Sequence, residues 1–245
     1  MRNLVIDQGN SKVKYGIFTD DNMEQMVSKD SLNIDEILNL ATNQQLENII
    51  YSTVAQTISD NDKGRLEEQF YFLELTHQLK LPIAMAYQTP STLGLDRLAA
   101  VVGAYALFPQ QTCLVVDAGT CMTLEILSKN GTYLGGNISP GVHMRLQAMH
   151  EFTARLPLVE VGKWDENWGV STETALQNGG LLGACLEIEG LERRLRQKWP
   201  QLKCLITGGD AKLLANQLSC KIFIYTNLVL IGLNKILTYN VEKLA

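Results

Sequence analysis

The sequence predicts an α/β protein built from two related lobes, and two observations favour this fold class. The chain opens on an apolar strand that ends in an acidic turn, and a second copy of this pattern begins near residue 114. After each copy, segments with helical periodicity alternate with short apolar segments. This is the order expected when helices pack on a sheet, and the repeat predicts two lobes.

The first copy of the pattern covers residues 4–14. Leu4, Val5 and Ile6 have the composition of a buried strand, which ends at Asp7. Apolar residues then return in strict alternation from Val13, so the simplest structure is a β-hairpin with a polar turn.

The turn of this hairpin carries groups that suit phosphate binding. Gly9 lets the backbone come close to a ligand, Ser11 and the turn amides can donate to phosphate oxygens, and Lys14 adds positive charge. Asp7 can hold Mg²⁺ through water. An ordinary hairpin has the same local pattern, so this stretch alone leaves both interpretations open.

The second copy of the pattern favours the phosphate-binding interpretation. Residues 114–120 repeat the order of an apolar run, Asp117, a glycine and a polar residue, Thr120. A third glycine turn, with Gly208 and Gly209, again follows a short apolar strand. The pattern predicts that each lobe presents an acidic strand turn to a shared cleft.

The other segments complete the alternating order. Helical spacing predicts helices near residues 34–41, 60–66, 98–107, 142–152 and 171–198, from residue 211, and at the C-terminus. Strands are predicted near 46–54, 70–75, 113–126, 204–207 and 222–225, with another running into residues 135–136. Pro109 closes one of the helices, which predicts an N-terminal lobe at 1–110 and a C-terminal lobe at 111–245.

Composition excludes several classes of protein. The 245 residues carry a formal net charge of −5 without a long Lys/Arg block, which argues against a nucleic-acid partner. No run reaches the roughly 18 apolar residues of a membrane span, and no signal peptide opens the chain. The five cysteines contain no C-x-x-C pair, which is typical of reduced thiols. We therefore expect a cytoplasmic protein that acts on small molecules.

Asp96 is the candidate proton acceptor. Phosphoryl transfer depends mainly on positioning and on charge around the γ-phosphate, but a base must receive the proton of the acceptor hydroxyl. An aspartate beside Arg97, where a loop enters a helix, has a partly polar, ligand-facing environment. The alternative is a carboxylate that only interacts with the positive end of that helix.

Taken in order, these motifs resemble those of the type III pantothenate kinases, a family of the actin, sugar kinase and Hsp70 superfold. The resemblance rests on residues 7–14, 94–97, 117–120, 135–141, 172–175 and 207–210. It implies two ribonuclease H-like lobes of the actin-like ATPase superfold. It also implies ATP-dependent phosphorylation of pantothenate to 4′-phosphopantothenate, the first step toward coenzyme A. Gln8, Ser11 and Cys121 depart from the usual residues of the family, although serine keeps the hydroxyl of the more common threonine.

The resemblance also implies roles for individual residues. ATP, with Mg²⁺, would bind at Asp7, Gln8, Gly9, Asn10, Ser11, Lys12, Val13, Lys14, Thr120, Gly208 and Gly209. Pantothenate would contact Tyr87, Gly94, Leu95, Asp96, Arg97 and Thr172. In this scheme Asp96 is the general base, and Arg97 binds the substrate's carboxylate or the transferring phosphate. Asp117 would help to hold a monovalent cation, potassium or ammonium.

The resemblance further implies a homodimer whose substrate site lies near the subunit interface, to which residues 140–156 would contribute. Two other functions stay open at this point. One is a kinase of the same superfold that acts on another small hydroxylated or carboxylic metabolite. The other is a nucleotide-binding regulatory module without turnover.

Overall fold

The computed structural model describes residues 1–9, 12–54, 57–162 and 166–243. Its contacts form two compact units. Unit 1 comprises Met1–Pro109, Gly131–Tyr133 and Asn227–Ala245, and unit 2 comprises Gln110–Asn130 and Leu134–Thr226. Each unit combines strands with helices, as the alternating sequence pattern predicts.

The elements follow one another in the predicted alternation. In chain order they are β1 (Arg2–Gln8), β2 (Val13–Thr19), β3 (Asn22–Lys29), α1 (Ile34–Asn43), β4 (Asn48–Thr53), α2 (Asp60–Glu67), β5 (Tyr71–Glu74), β6 (Ala84–Met85), α3 (Leu95–Leu107), β7 (Cys113–Ala118), β8 (Cys121–Leu127), β9 (Thr132–Pro140), α4 (Val142–Glu151), α5 (Thr172–Lys198), β10 (Lys203–Thr207), α6 (Ala211–Ala215), β11 (Phe223–Ile224) and α7 (Leu228–Glu242).

Strand β1 is the centre of the unit 1 sheet, whose order is β3-β2-β1-β4-β5. It pairs antiparallel with β2 and parallel with β4. Leu4 and Ile6 point into a core shared with α1 and α2, while α3 and α7 lie on the other face. Because both faces are covered, Leu4, Val5 and Ile6 are fully buried, which explains the continuous apolar run in the sequence.

Helix α7 packs on α3 and β1 within unit 1, although it lies at the end of the chain. A buried chain of amides ties it to the sheet. The Asn3 Nδ2 donates to Asn234 Oδ1 at 2.8 Å, and Asn48 Nδ2 donates to Asn3 Oδ1 at 2.9 Å. The boundary between residues 110 and 111 stays a prediction. In the structure, the contacts of α7 assign it to unit 1, because its apolar face covers the sheet of that unit.

Unit 2 has its own sheet and core. The sheet has the order β11-β10-β7-β8-β9, and β6 pairs with Thr132 and Tyr133, the part of β9 that clusters with unit 1. Leu114 and Val116 of β7 pack with Ala184 and Ile188 of α5 in the core of unit 2. Although α5 has 27 residues, none of the helices in the described part of the chain is both long and apolar enough to span a membrane.

Strand β3 is an element that the sequence pattern did not predict. After the first hairpin the sequence pattern predicts only a helix near residues 34–41, but the chain first adds a third strand at the sheet edge. Most of its residues are exposed, and only Met23 and Val27 are half-buried. A strand with little apolar burial has no clear periodicity, so hydrophobic patterning cannot detect it.

We predict that the crossing of α3 and α7 depends on glycine. A Cβ at Gly232 would overlap the carbonyl oxygen of Ala99, and one at Gly103 would overlap the carbonyl oxygen of Leu228. Backbone atoms cannot move aside, so Gly232→Ala should lower the free energy of unfolding by about 3 kcal/mol or more. Chemical denaturation followed by circular dichroism measures this change.

Gly64→Ala in α2 is the matched control, because a Cβ there meets nothing within 4 Å. The better helix propensity of alanine should stabilise this variant by about 0.5–1 kcal/mol. Equal stability of Gly232→Ala and the parent protein would contradict the proposed close crossing.

Candidate active site

The turn after β1 places a carboxylate and an ammonium group side by side. Asp7 and Lys14 are partners in the β1–β2 ladder. The turn closes where the Gly9 N–H donates to the Lys12 carbonyl at 3.0 Å. The Gln8 amide oxygen accepts from the Tyr51 hydroxyl at 2.7 Å, so this departure from the family pattern has a hydrogen-bond partner.

The Asp7 carboxylate is in an environment that disfavours its charge. Burial raises its pKa from 3.8 to about 6; Lys14 counteracts this effect, while the negative charge of Asp96 adds to it. Asp7 ends a strand and Asp96 begins a helix almost 90 residues later. The fold of unit 1 therefore brings these two carboxylates within electrostatic reach of each other.

Asp96 lies in the first turn of α3, two residues after Gly94. Its Oδ1 accepts from the Arg97 backbone N–H at 2.8 Å, which is consistent with a carboxylate at a helix N-terminus. A Cβ at Gly94 would lie 2.5 Å from the same Oδ1. The preceding loop is held where the His77 Nε2 lies 2.8 Å from the carbonyl oxygen of Leu93. Gly94 therefore leaves room for the Asp96 carboxylate.

Arg97 is buried among aromatic rings. Its Nη2 donates to the Tyr133 hydroxyl at 3.2 Å, and its guanidinium carbon lies 5.8 Å from the centre of the Tyr87 ring. The rings of Tyr87 and Tyr133 stack with centroids 5.7 Å apart. This packing holds a planar group with several N–H donors in one orientation, which suits the binding of a carboxylate or phosphate.

The sequence interpretation missed Tyr133. This residue reaches Arg97 because β6 pairs with the beginning of β9, with Met85 opposite Tyr133. A two-residue strand such as β6 leaves no periodic signal in the sequence. A tyrosine near the glycine turn at residue 131 was visible, but nothing in the pattern connected it with Arg97.

In unit 2, the turns after β7 and β10 lie against each other. Asp117 and Thr207 are partners in the parallel ladder between these strands. Gly208 has a φ of +95°, and a Cβ there would lie 2.5 Å from the Asp117 Oδ1 and would also overlap the carbonyl oxygen of Ala118. That carbonyl accepts from the Asp210 N–H at 3.0 Å. Only glycine fits this position.

The glycine turn before α4, at Gly141, meets the same region of unit 2. The Gly141 N–H donates to the Thr120 carbonyl at 3.0 Å, and a Cβ at Gly141 would overlap the carbonyl oxygen of Gly119. His143, the second residue of α4, has its Nε2 3.7 Å from the Asp210 Oδ1. The turns that begin at Asp117, Gly141 and Gly208 thus form one continuous backbone surface in unit 2.

Other predicted phosphate-binding residues have different surroundings. The Lys12 Nζ pairs with Asp30 Oδ1 at 2.6 Å on the surface. Val13 is only 3% exposed because its side chain lies in the core, so only its backbone is available to a ligand. Asn10 and Ser11 lie outside the described residues.

The remaining predicted residues lie at element ends. Gly209 faces open space, since a Cβ there meets nothing within 4 Å. Leu95 is the first residue of α3 and is half-buried. Thr172 is the first residue of α5 and is exposed, after Ser171, which forms a capping box with Thr174. The helix cap is thus Ser171, and the hydroxyl of Thr172 is on the surface of unit 2.

Asp7 and Asp117 supply one carboxylate to each of the two acidic turns. No group of three or more His, Cys, Asp or Glu side chains in the described residues could hold a metal ion. The Asp117 carboxylate and the Ala118 carbonyl do converge on Gly208. Carboxylate and carbonyl oxygens are ligands of hard cations, so this arrangement fits such an ion better than zinc.

Known proteins similar to this chain include kinases. A family model described as type III pantothenate kinase matches residues 3–194. A type III pantothenate kinase of Phocaeicola vulgatus is 40% identical over 239 residues, which cover 97% of this chain and 98% of that protein.

Solved structures extend the similarity to the fold. A Campylobacter jejuni structure described as a Baf family transcriptional activator is 27% identical and covers 98% of this chain and 99% of its own, with a TM-score of 0.60. The ROK hexokinase of Thermus thermophilus covers 98% of this chain and 100% of its own with a TM-score of 0.56 at 12% identity, a likeness of fold alone. The predicted fold class, two lobes of the actin-like ATPase superfold, is confirmed.

We predict that the Asp7 carboxylate titrates near pH 6 and responds to its two charged neighbours. Asp96→Asn should lower the pKa of Asp7 because it removes a nearby negative charge, and Lys14→Gln should raise it because it removes a positive one. Carboxyl-carbon NMR of the labelled protein measures the three values.

The raised pKa of Asp7 also predicts how this residue affects the stability of the protein. Its pKa is raised on folding, so its contribution to the free energy of unfolding should decrease as the pH rises from about 4 to about 6. Asp7→Asn should remove this part of the pH dependence. An Asp7 carboxyl that titrates near pH 4 in all three proteins would contradict the proximity of Asp96.

Proposed function

Because this chain belongs to the type III pantothenate kinase family, we propose that Asp96 is the general base of the family's reaction. The chain is an ATP-dependent phosphotransferase that converts pantothenate to 4′-phosphopantothenate, the first step of coenzyme A biosynthesis. The observation that carries the proposal is the proximity of the Asp7 and Asp96 carboxylates at the start of α3. Asp7 can serve the phosphates of ATP, and Asp96 can serve the acceptor hydroxyl.

Asp96 has the position and the free acceptor capacity of a base. Its Oδ1 is held by the Arg97 N–H, which fixes the carboxylate and directs the second oxygen, Oδ2, away from that bond. In the proposed mechanism Oδ2 accepts the proton of the terminal hydroxyl of pantothenate as the hydroxyl oxygen attacks the γ-phosphorus. Because this transition state is loose, positioning matters more than base strength.

Asp7 and its turn are proposed to bind the phosphates of ATP. At Gly9 the backbone of the turn can approach a phosphate closely, and Lys14 adds a positive charge. Asn10 and Ser11 are proposed to add further hydrogen-bond donors. The negative charge of Asp96 adds to the cost of ionising Asp7, which favours a bound cation, so the site fits Mg²⁺ held by Asp7 through water. When bound with ATP, Mg²⁺ neutralises charge that develops on the phosphate oxygens.

Pantothenate is proposed to bind beside Arg97. The substrate has a carboxylate, and the guanidinium is held in one orientation by Tyr133 and Tyr87. Either the carboxylate or the transferring phosphate can be its ligand. Gly94 and Leu95 border the same helix start, and Thr172 is proposed to add a hydroxyl contact.

In unit 2, Thr120, Gly208 and Gly209 are proposed to contact ATP, with the two glycines at the adenosine. The exposed backbone at Gly209 supports this assignment, because a flat base can approach closely where a side chain is missing. Asp117 is proposed to hold potassium or ammonium together with the Ala118 carbonyl. Both ions suit this pair of oxygens, because potassium coordinates them and ammonium donates hydrogen bonds to them.

We predict that Asp96→Asn lowers the kcat for pantothenate phosphorylation by about 10²–10⁴-fold, because an amide cannot accept the proton. The Kd for ATP should change by less than about threefold, since the substitution spares the turn after β1. Steady-state kinetics with Mg²⁺, potassium and ATP, together with calorimetric ATP titration, measure both quantities.

Asp35→Asn is the matched control. Asp35 is the second residue of α1, as Asp96 is of α3, and both belong to unit 1. Asp35 also pairs with Arg65 on the surface, so the control measures the loss of a helix N-terminal carboxylate together with that exposed ion pair. If Asp96→Asn keeps full turnover, Asp96 is not the base. If both variants lose similar activity, the effect is one of helix stability.

The two alternative functions differ in their substrates and in turnover. The Campylobacter jejuni structure carries the description of a transcriptional activator, which favours a test of the regulatory alternative. A panel of sugars and carboxylic acids with hydroxyl groups, assayed beside pantothenate, distinguishes a pantothenate kinase from a kinase of another metabolite. ATP binding without turnover of any acceptor would favour a regulatory module.

A cytoplasmic location is also part of the proposal. All five cysteines are free thiols in the structure, and a reducing compartment keeps them so. Burial raises the pKa of Cys113 to about 12 and that of Cys185 to about 11, which makes both thiols unreactive. The negative net charge supports the expectation that nucleic acid and membrane surfaces are not partners.

A homodimer is proposed to form through the surface of β9 and α4. Large apolar side chains are exposed there and on the segment that follows, including Ile138 at 61% and Phe152 at 85% exposure. Met144 and Leu158 extend this apolar surface. Large exposed apolar side chains grouped along one stretch of the chain are typical of protein interfaces.

We predict that Phe152→Glu converts a dimer into a monomer, because it would bury a carboxylate in the apolar interface. Light scattering after size exclusion measures the mass. Met26→Glu, at another exposed apolar residue on β3, is the control and should stay dimeric. A Phe152→Glu protein that remains dimeric at micromolar concentration would place the interface elsewhere.

A further inference from the structure

A polar pocket lies in unit 2 where β10 begins. Its cavity volume is about 310 Å³, and its lining includes Arg196, Lys203, Lys221 and Phe223 but no acidic residue. This volume lies near the lower end of the range of about 300–1,000 Å³ that small-molecule sites occupy. The pocket therefore has the size for a small ligand and the charge for an anion.

The strand register explains why two lysines share one aromatic ring. Strands β10 and β11 are parallel, with Leu205 opposite Phe223. Lys203 begins β10 and Lys221 lies just before β11, so each is two residues from this pair. The Nζ atoms of Lys203 and Lys221 lie 5.9 Å and 5.6 Å from the centre of the Phe223 ring.

Both ammonium groups are attracted to the same ring. They place two positive charges beside it, which an anion bound nearby would offset. The arrangement of Lys203 and Lys221 therefore favours a bound counter-charge.

Arg196 completes the basic lining at the C-terminal end of α5. Its Nε donates to the Glu192 carboxylate, and its Nη1 donates to the Pro200 carbonyl at 3.1 Å. These two bonds hold the guanidinium in place, and in the described part of the chain its Nη2 has no hydrogen-bond partner. Arg196 can therefore donate to a ligand without being reoriented.

The positive charge is local. Lys203, Lys221 and Arg196 contribute three cations, and Glu192, which lies behind Arg196, contributes one anion to this part of unit 2. The chain as a whole carries −5, so the basic lining is not part of a general basic surface. Three cations around one small pocket favour a small anion as its ligand.

We propose that this pocket is a second anion site that binds the phosphate group of a small molecule. Lys203 and Lys221 supply two ammonium groups for a dianionic phosphate, and the Arg196 Nη2 adds a directed donor. The Phe223 ring offers apolar contact to the rest of the ligand.

The site is separate from the candidate active site. Strand β10 runs from Lys203, in the pocket, to Thr207, immediately before the glycine turn at Gly208. At about 3.3 Å per residue, the two ends of this strand are roughly 13 Å apart. One strand of unit 2 thus connects the anion site with a turn proposed to contact ATP, and each can be occupied independently.

Calorimetric titration with pyrophosphate tests the proposal. The full-length protein is first saturated with Mg²⁺, a non-hydrolysable ATP analogue and pantothenate, so that the candidate active site is filled. We expect wild-type protein to bind one equivalent of pyrophosphate, and the Lys203→Gln, Lys221→Gln double variant to bind it at least about tenfold more weakly, since both charge-assisted contacts are lost. Backbone amide shifts in residues 200–204 and 221–223 should accompany wild-type binding.

Lys129→Gln, Lys198→Gln is the matched control. It removes the same charge from exposed lysines of unit 2, and Lys198 also lies over an aromatic ring, Trp199, outside the pocket lining. The control should retain pyrophosphate affinity within about twofold, because nonspecific electrostatics are weak at exposed sites. Absence of binding to the saturated wild-type protein, or equal weakening in both double variants, would overturn the proposal.

Discussion

The burial of β1 on both faces is the constraint on which the rest of unit 1 depends. Leu4 and Ile6 pack against α1 and α2, while α7 and α3 cover the opposite face. Packing on both faces therefore fixes the register of this strand and its position in the sheet. Asp7 comes directly after this run, so its carboxylate ends in a half-buried position beside Lys14 and within reach of Asp96. The charge that burial disfavours is the charge that a magnesium nucleotide complex would stabilise.

Close approach of backbone segments at glycine residues is a second feature that both units share. In unit 1, Gly232 and Gly103 let α7 and α3 cross at short distance, and this crossing helps to fix α3, which carries Asp96. In unit 2, Gly208 and Gly141 let separate turns share one surface beside Asp117. Side chains larger than hydrogen would separate these segments. The candidate catalytic groups are thus positioned mainly by backbone contacts, which are less adaptable than side-chain contacts.

The repeated acidic turns share a pattern but differ in their surroundings. Asp7 has a lysine as its ladder partner and a second carboxylate nearby, which suits a site for phosphate and a divalent cation. Asp117 has the Ala118 carbonyl and the Gly208 backbone beside it, which suits a monovalent cation and close approach of a nucleotide. The proposed roles of the two turns therefore differ although their local pattern is shared, because the neighbouring elements decide the electrostatics.

The sequence by itself determined the α/β alternation, the central strands, the acidic and glycine turns, and the family. These features are local or periodic, so hydrophobic pattern and motif order reveal them. Only the tertiary structure decided that α7 packs on β1, that Tyr133 holds Arg97, that Asp96 raises the pKa of Asp7, and that Lys203 and Lys221 share the Phe223 ring. Each of these contacts joins elements through strand register or helix packing, and a linear pattern carries no information about which distant segments meet.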